Sequence, residues 1–397
     1  MIPPASASAP PARAIVAIPA HDEAARLPDC LLALAAQRLG RQTARGMAET
    51  TVLVLANNCT DATVAVANAL APALPFRLIV QECRLPPALA HAGGARRTAM
   101  DAAAALAGAG TALLCTDADA RPEPGWLAAN LAALAAGADA VAGTIRLDPV
   151  EAALLPAPLR RREALEARYA ARLEALAACL DPVAHDPWPR HGIHSGASIA
   201  LRLSAYRAIG GVPLVAVGED RAVFAALARQ DARIRHCPDA RVIVSCRLDG
   251  RAAGGMSETL RRRLADPSQP LDTRLEAAVP ALIRNRCRRV LRRLWSGEAP
   301  ARGARWLAVA LGVAPGALRL ALQAPSFGLA WEALEATAPL LSREPLPPSA
   351  LPVEIARAEA LLRLYRPAPA PELSLGLSPP PPAATRRADS LPLAPAG

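Results

Sequence analysis

Four short apolar runs, at 14–19, 51–56, 76–80 and 111–116, each give way to polar residues, and helical patterns at 27–37, 62–70 and 91–107 separate them. Uniformly apolar strands alternating with helices are what a parallel sheet buried on both faces requires. In such sheets ligands bind beyond the carboxyl ends of the strands. That edge is where the polar residues cluster: His21-Asp22-Glu23, Asn57-Asn58-Cys59-Thr60-Asp61 and Asp117-Ala118-Asp119. The expectation is an α/β protein with a doubly wound, mostly parallel sheet. Further strands are expected at 138–145, 195–201 and 240–246, and further helices at 159–180 and from Glu219-Asp220.

Asp117 and Asp119 are spaced i, i+2 at a strand tip. Hard carboxylate oxygens in that arrangement suit Mg²⁺ or Mn²⁺ held against a diphosphate. Glycine at Gly93-Gly94 permits close backbone approach, and Arg96 or Arg97 beside it offers positive charge for phosphate; the same residues also read as a helix start with solvated arginines. Asn57 and Asn58 each offer a donor and an acceptor to a base edge, or form a turn that tolerates left-handed backbone. Glu219-Asp220 reads either as a catalytic acidic pair or as helix-start residues favoured by the dipole.

Taken in chain order, five stretches resemble the family 2 glycosyltransferases: Ile18-Pro19-Ala20-His21-Asp22-Glu23, Leu55-Ala56-Asn57-Asn58-Cys59-Thr60-Asp61, Gly93-Gly94-Ala95-Arg96, Thr116-Asp117-Ala118-Asp119 and Gly218-Glu219-Asp220. The resemblance covers roughly residues 14–255. It implies a GT-A, Rossmann-like nucleotide-sugar-binding fold and an inverting, metal-dependent enzyme of hexosyltransferase type. Such an enzyme moves one sugar from a nucleotide-sugar to a hydroxyl acceptor. By that resemblance Pro19, His21 and Glu23 lie against base and ribose, and Arg96 faces the donor phosphates. Asn57 and Asn58 stand where the family usually carries an acidic pair. Asp119 coordinates Mg²⁺ or Mn²⁺ directly, Asp117 reaches metal or ribose, Asp220 is the base and Glu219 its orienting neighbour. Gln-x-x-Arg-Trp, the mark of processive synthases, is absent, so single transfer is expected. Two rivals are a sugar-phosphate nucleotidyltransferase and a catalytically silent nucleotide-sugar-binding protein at the membrane surface.

Beyond about residue 256 the character changes. Arginines stud helical patterns from Arg261 to Arg305, and all the Lys+Arg total of 45 is Arg. The expected divisions are a flexible start at 1–13, the transfer domain at 14–255, a helical Arg-rich region at 256–366 and a disordered Pro/Ala-rich tail at 367–397. A net charge of +10 favours anionic partners. Aromatic-rich basic stretches and zinc spacings are missing, which argues against nucleic acid. Arg-rich helices read as a solvated face or as peripheral contact with anionic membrane. The apolar segment 306–322 is short of a membrane span. Eight scattered cysteines without Cys-x-x-Cys point to reduced thiols in the cytoplasm. The Ala, Pro and Arg bias points to a GC-rich bacterial genome. His185, His191 and His194, near Trp188, are ordinary loop histidines or the lining of an acceptor pocket, and Arg247 and Arg251 lie where a loop could hold diphosphate.

Overall fold

The computed structural model describes residues 13–40, 43–250, 254–300 and 302–365. Residues 1–12 of the expected flexible start, the expected tail at 367–397 and Arg251 lie outside the described residues.

The strands are β1 (Arg13–Ala20), β2 (Thr50–Asn57), β3 (Arg77–Cys83), β4 (Thr111–Cys115), β5 (Ala120–Pro122), β6 (Ala140–Leu147), β7 (Ile199–Arg202) and β8 (Ile234–Val244). They form one sheet in the order β3-β2-β1-β4-β7-β6-β8-β5. β3, β2, β1 and β4 run parallel, as do β6 and β8; β7 is antiparallel to both its neighbours, and β5 to β8. The sheet is therefore doubly wound and mostly parallel, with the antiparallel pairings confined to the half beyond β4.

Strand periodicity explains both faces. Val16, Ile18, Val52, Val54 and Leu114 point into one core, under α1 (Leu27–Ala35), α3 (Thr63–Leu70) and α5 (Trp126–Ala135). Ile15, Ala17, Leu53, Leu55 and Leu113 point into the other, under α4 (Ala92–Leu106), α8 (Leu203–Ala208) and α9 (Glu219–Arg229). Successive side chains leave a strand on opposite faces, so a run apolar at every position has to be buried on both. The short α2 (Thr43–Ala48) precedes β2, and α6 (Pro149–Leu154) follows β6.

The 24-residue α7 (Ala157–Leu180) carries the chain to a helical layer. It comprises α10 (Met256–Ala265), α11 (Ala278–Trp295), α12 (Arg302–Leu311), α13 (Pro315–Leu322), α14 (Phe327–Thr337) and α15 (Leu351–Tyr365). Leu173 and Tyr169 of α7 share a core with Ala278, Ala281, Leu351, Ile355 and Ala358. Cys287, Leu291, Leu307, Leu311, Leu318, Phe327 and Leu334 form a second helical core. The Arg-rich helical extension expected from the sequence is thus present.

Candidate functional site

Arg96 organises the site. It lies on the first turns of α4, is 5% exposed, and spends its guanidinium on groups far apart in the chain. Nη2 donates to Asp117 Oδ1 at 2.8 Å, Nε to Glu219 Oε1 at 3.1 Å, and Nη1 to the Gly196 carbonyl at 2.9 Å. Burial works against its charge, but Asp117 and Glu219 outweigh that and hold its pKa well above the ordinary arginine value. Glycine is required beside it: a Cβ at Gly196 would sit 2.0 Å from Nη2. Gly93 serves the same fit, since a Cβ there would meet the Val215 carbonyl at 2.1 Å. These two glycines let α4 and the loops before β7 and α9 converge. The Asp-x-Asp stretch and the Glu-Asp stretch, distant in sequence, therefore face one cleft.

The carboxylates around that cleft differ in setting. Asp119 is pushed up to about 6, chiefly by burial and then by the charge of Asp117, with Arg247 opposing. Asp220, on the first turn of α9, is also raised, mainly by burial, with Glu219 adding and the Arg221 amide opposing. That amide donates to Asp220 Oδ1 at 2.7 Å. Glu219 is buried, and Gly218 before it takes φ +75° to start α9.

On the opposite rim, Arg247 donates to both oxygens of Glu23, at 2.5 and 3.2 Å, and its Nη2 lies 3.1 Å from Asp119 Oδ2. Nearby, Glu151 accepts from Arg26, Ser245 and the Cys246 amide, tying the start of α1 to the segment after β8. Sequence reading missed the Glu23–Arg247 clamp and Glu151 altogether. Neither sits in a recognisable spacing; their partners come together only through the fold.

The loops after β1 and β2 are interlocked. His21 Nδ1 lies 2.9 Å from the Asn57 carbonyl, and Asn57 Nδ2 donates to the Ala20 carbonyl at 2.8 Å. Asn58 takes φ +52°, and both ends of its amide pair with the Leu85 backbone. Asn58 thus uses the left-handed turn conformation that Asn tolerates, and its side chain is engaged inside the loop rather than offered to a base. Pro19, next to last in β1, lies opposite Leu55 of β2. Asp22, Cys59 and Asp61 bring ligand atoms within 4.8 Å of one another. Backbone amides already occupy Asp22 and Asp61: Thr60 and Asp61 donate to the first, Ala24 and Thr63 to the second.

Of the loop histidines, His194 and His191 gather with His236 of β8. Asp186 accepts from His236 Nδ1 at 2.8 Å, His236 Nε2 lies 3.0 Å from His194 Nε2, and the His194 ring stacks on Phe224, one turn after Asp220. Burial, then the charge of His236, lowers His194 to about 3 and His191 to about 4, so both are neutral.

Residues 15–182 match the model of glycosyl transferase family 2. The chain carries a family 2 glycosyltransferase domain. The transferase matches no curated protein significantly. It is similar to the mannosyltransferase PcManGT from Pyrobaculum calidifontis, in complex with GDP-Man and Mn²⁺, at 18% identity and TM-score 0.41 over 84% of this chain and 90% of that one. It is also similar to TarS residues 1-349 of S. aureus in complex with UDP, at 14% identity and TM-score 0.43 over 89% and 91%. Glucosyl-3-phosphoglycerate synthase from Mycobacterium tuberculosis, in complex with UDP, matches at 18% identity and TM-score 0.35 over 65% and 83%. With TM-scores below 0.5, these three likenesses decide nothing about the chemistry of the transferase.

Proposed function

We propose that this glycosyltransferase is an inverting, metal-dependent enzyme that moves one sugar from a nucleotide-sugar to a hydroxyl acceptor. The observation that carries the proposal is Arg96, whose one guanidinium touches both Asp117 and Glu219. It fixes the distance between the donor end of the cleft and the acidic pair at the start of α9. Asp117 and Asp119 would hold Mg²⁺ or Mn²⁺. The donor set fits: two hard carboxylates, with substrate phosphate and water completing the shell as such ions require. When bound, the cation offsets charge that develops on the departing diphosphate.

Asp220 acts as the base. A single displacement needs a carboxylate that takes a proton from the acceptor hydroxyl as that oxygen attacks the anomeric carbon. Burial raises the proton affinity of Asp220, which brings it nearer the working range of a general base. Glu219, anchored by Arg96, sets the first turn of α9 and so the aim of Asp220. Residues 14–255 would carry this chemistry and 256–366 would brace it. We place the protein in a reducing cytoplasm; all eight cysteines are free.

The test is Asp220→Asn, assayed for transfer and for nucleotide binding. Transfer should fall by at least ~10³-fold, within the range of a lost general base, while nucleoside diphosphate binding stays near wild type. Full retained activity would remove Asp220 from the role. A thermal-shift panel of UDP-, GDP-, CDP- and dTDP-sugars with and without Mn²⁺ names the donor, because a ligand that binds only the native state raises the midpoint.

A further inference from the structure

The arginines that stud the helical layer divide into two sets. Several are neutralised at home. Arg263 pairs with Glu163 and Glu166, Arg262 with Glu258, Arg284 with Glu276 and Glu335, and Arg288 and Arg292 with Asp181. Arg302, Arg305 and Arg319 have no acidic partner among the described residues, and all three are exposed. They share α12 and α13 with three exposed large apolar side chains: Trp306 at 50%, Val309 at 77% and Leu320 at 72%.

The placement is regular. On α12, positions 302, 305, 306 and 309 follow the i, i+3, i+4, i+7 spacing of one helix face, while Leu307, Ala308 and Leu311 pack inward. On α13, Arg319 and Leu320 are exposed and Leu318 packs into the same core. The two helices meet at a bend of 120° around Gly312, whose φ is +64°. Among the described residues no single helix is long and apolar enough to cross a membrane, although α12 and α13 taken together have the length and composition of a broken span or re-entrant loop. No Asp or Glu occurs between Glu298 and Glu332, so nothing acidic on this stretch repels an anionic surface.

We propose that the bent α12–α13 pair is a reversible docking face for an anionic phospholipid bilayer. Trp306, Val309 and Leu320 enter the boundary between headgroups and acyl chains, and Arg302, Arg305 and Arg319 sit among the phosphates. Tryptophan is favoured at that depth, and each arginine near an anionic surface contributes on the order of 1 kcal/mol. Within the segment 261–305, read from sequence as a solvated face or as peripheral membrane contact, Arg262, Arg263, Arg284, Arg288 and Arg292 are already paired inside the protein, so the proposed face is narrower than that segment. The proposal does not depend on the sugar-transfer chemistry.

The experiment is co-sedimentation of the full chain with vesicles of phosphatidylcholine alone and with about one-third phosphatidylglycerol. Binding is expected only to the anionic vesicles, and raised salt should release it. Replacing Arg302, Arg305 and Arg319 by Gln should weaken binding by ~100-fold, as three such contacts imply. The set Trp306→Ser, Val309→Ser, Leu320→Ser should weaken it at least ~10-fold. Thermal unfolding confirms that both variants fold. Should either fail to, quenching of wild-type fluorescence by brominated lipid, lost in Trp306→Phe, reads the same contact. Absence of binding to anionic vesicles, or unchanged binding in the folded variants, overturns the proposal. So does self-association that the serine set abolishes in place of vesicle binding, because the face would then belong to a second copy.

Discussion

Two buried arginines, one in the sheet and one in the helical layer, use the same device to different ends. Arg96 and Arg284 are each 5% exposed, and each guanidinium bridges two carboxylates and a backbone carbonyl. Arg284 donates twice to Glu276, itself 5% exposed, then to Glu335 and to the Leu341 carbonyl. Arg343 also comes within 4.0 Å of Glu276 and Glu335, and the network holds α11, α14 and the turn before α11 together. Arg96 instead touches carboxylates on a cleft, where the Asp117 side chain stays 35% exposed. Exposure does not separate the two networks, since the Glu335 side chain stays 32% exposed. What differs is where the acids stand: Asp117 and Glu219 belong to the Asp-x-Asp and Glu-Asp stretches, whereas Glu276 precedes α11 and Glu335 lies on α14 in the helical layer.

The comparison breaks most readily at the two arginines themselves. Removing one member of a buried ion network leaves uncompensated charge and costs about 3–5 kcal/mol. Arg96→Met and Arg284→Met should therefore lose similar stability by denaturant unfolding. Their catalysis should diverge. Per folded molecule, Arg284→Met should keep its transfer rate. Arg96→Met should lose at least ~100-fold, the scale of a misplaced catalytic group, because Asp117 and Glu219 lose their common anchor. Equal activity losses in both would show that Arg96 only stabilises.

Much of this was legible beforehand, and the reason is local. The runs at 14–19, 51–56 and 111–116 are apolar but for threonines at their ends, as strands buried on both faces require, and the structure has β1, β2 and β4 there. Asp117, Asp119, Glu219 and Asp220 were visible because they stand at strand and helix ends. Arg96 stands out in the sequence only as a positive charge beside Gly93-Gly94, facing phosphate or solvent; the buried bridge it makes is not visible there. Its partners lie 21 and 123 residues away, and no helical spacing encodes them. β5 escaped because three residues carry no period. Asn58 has two readings in the sequence, a base contact or a left-handed turn; the backbone takes the turn, and Leu85 occupies both ends of the amide.

A second difference between the regions is titration. All six histidines precede residue 247, and two of them are held neutral well below the ordinary imidazole range. For a lowered histidine the unfolded chain binds protons that the native state refuses, so stability is full above about pH 6.5 and falls as the pH drops toward the folded value. At pH 5 the cost is on the order of 2 kcal/mol for each of His191 and His194. Unfolding measured at pH 7.5 and pH 5 should show this loss in wild type and a clearly smaller one in His191→Gln with His194→Gln. Hydrogen exchange at pH 5 should rise first in β7 and β8. Early opening of α11–α14 would reverse the ordering.

The smallest effect is expected where the two regions meet. Arg229, at the end of α9, makes two hydrogen bonds of 2.6 Å to Glu332 of α14, but both side chains are 49% exposed. An ion pair so open to water contributes only about 0.2–1 kcal/mol and weakens with salt. The seam has firmer ties beside it. Asp231, at φ +52°, accepts from the amides of Phe327 and Gly328 at the start of α14, and Ser326 Oγ donates to the Arg229 carbonyl. A Cβ on Gly328 would stand 1.8 Å from the Ala228 carbonyl oxygen. Backbone fit and helix capping, not the visible salt bridge, therefore join sheet and helices. A double-mutant cycle on Arg229→Ala and Glu332→Ala should give a coupling below about 1 kcal/mol that vanishes in high salt. Asp231→Ala should cost about 1–2 kcal/mol, the worth of a lost cap, and should be insensitive to salt. A larger, salt-resistant coupling for the arginine pair would mean that charge holds the seam after all.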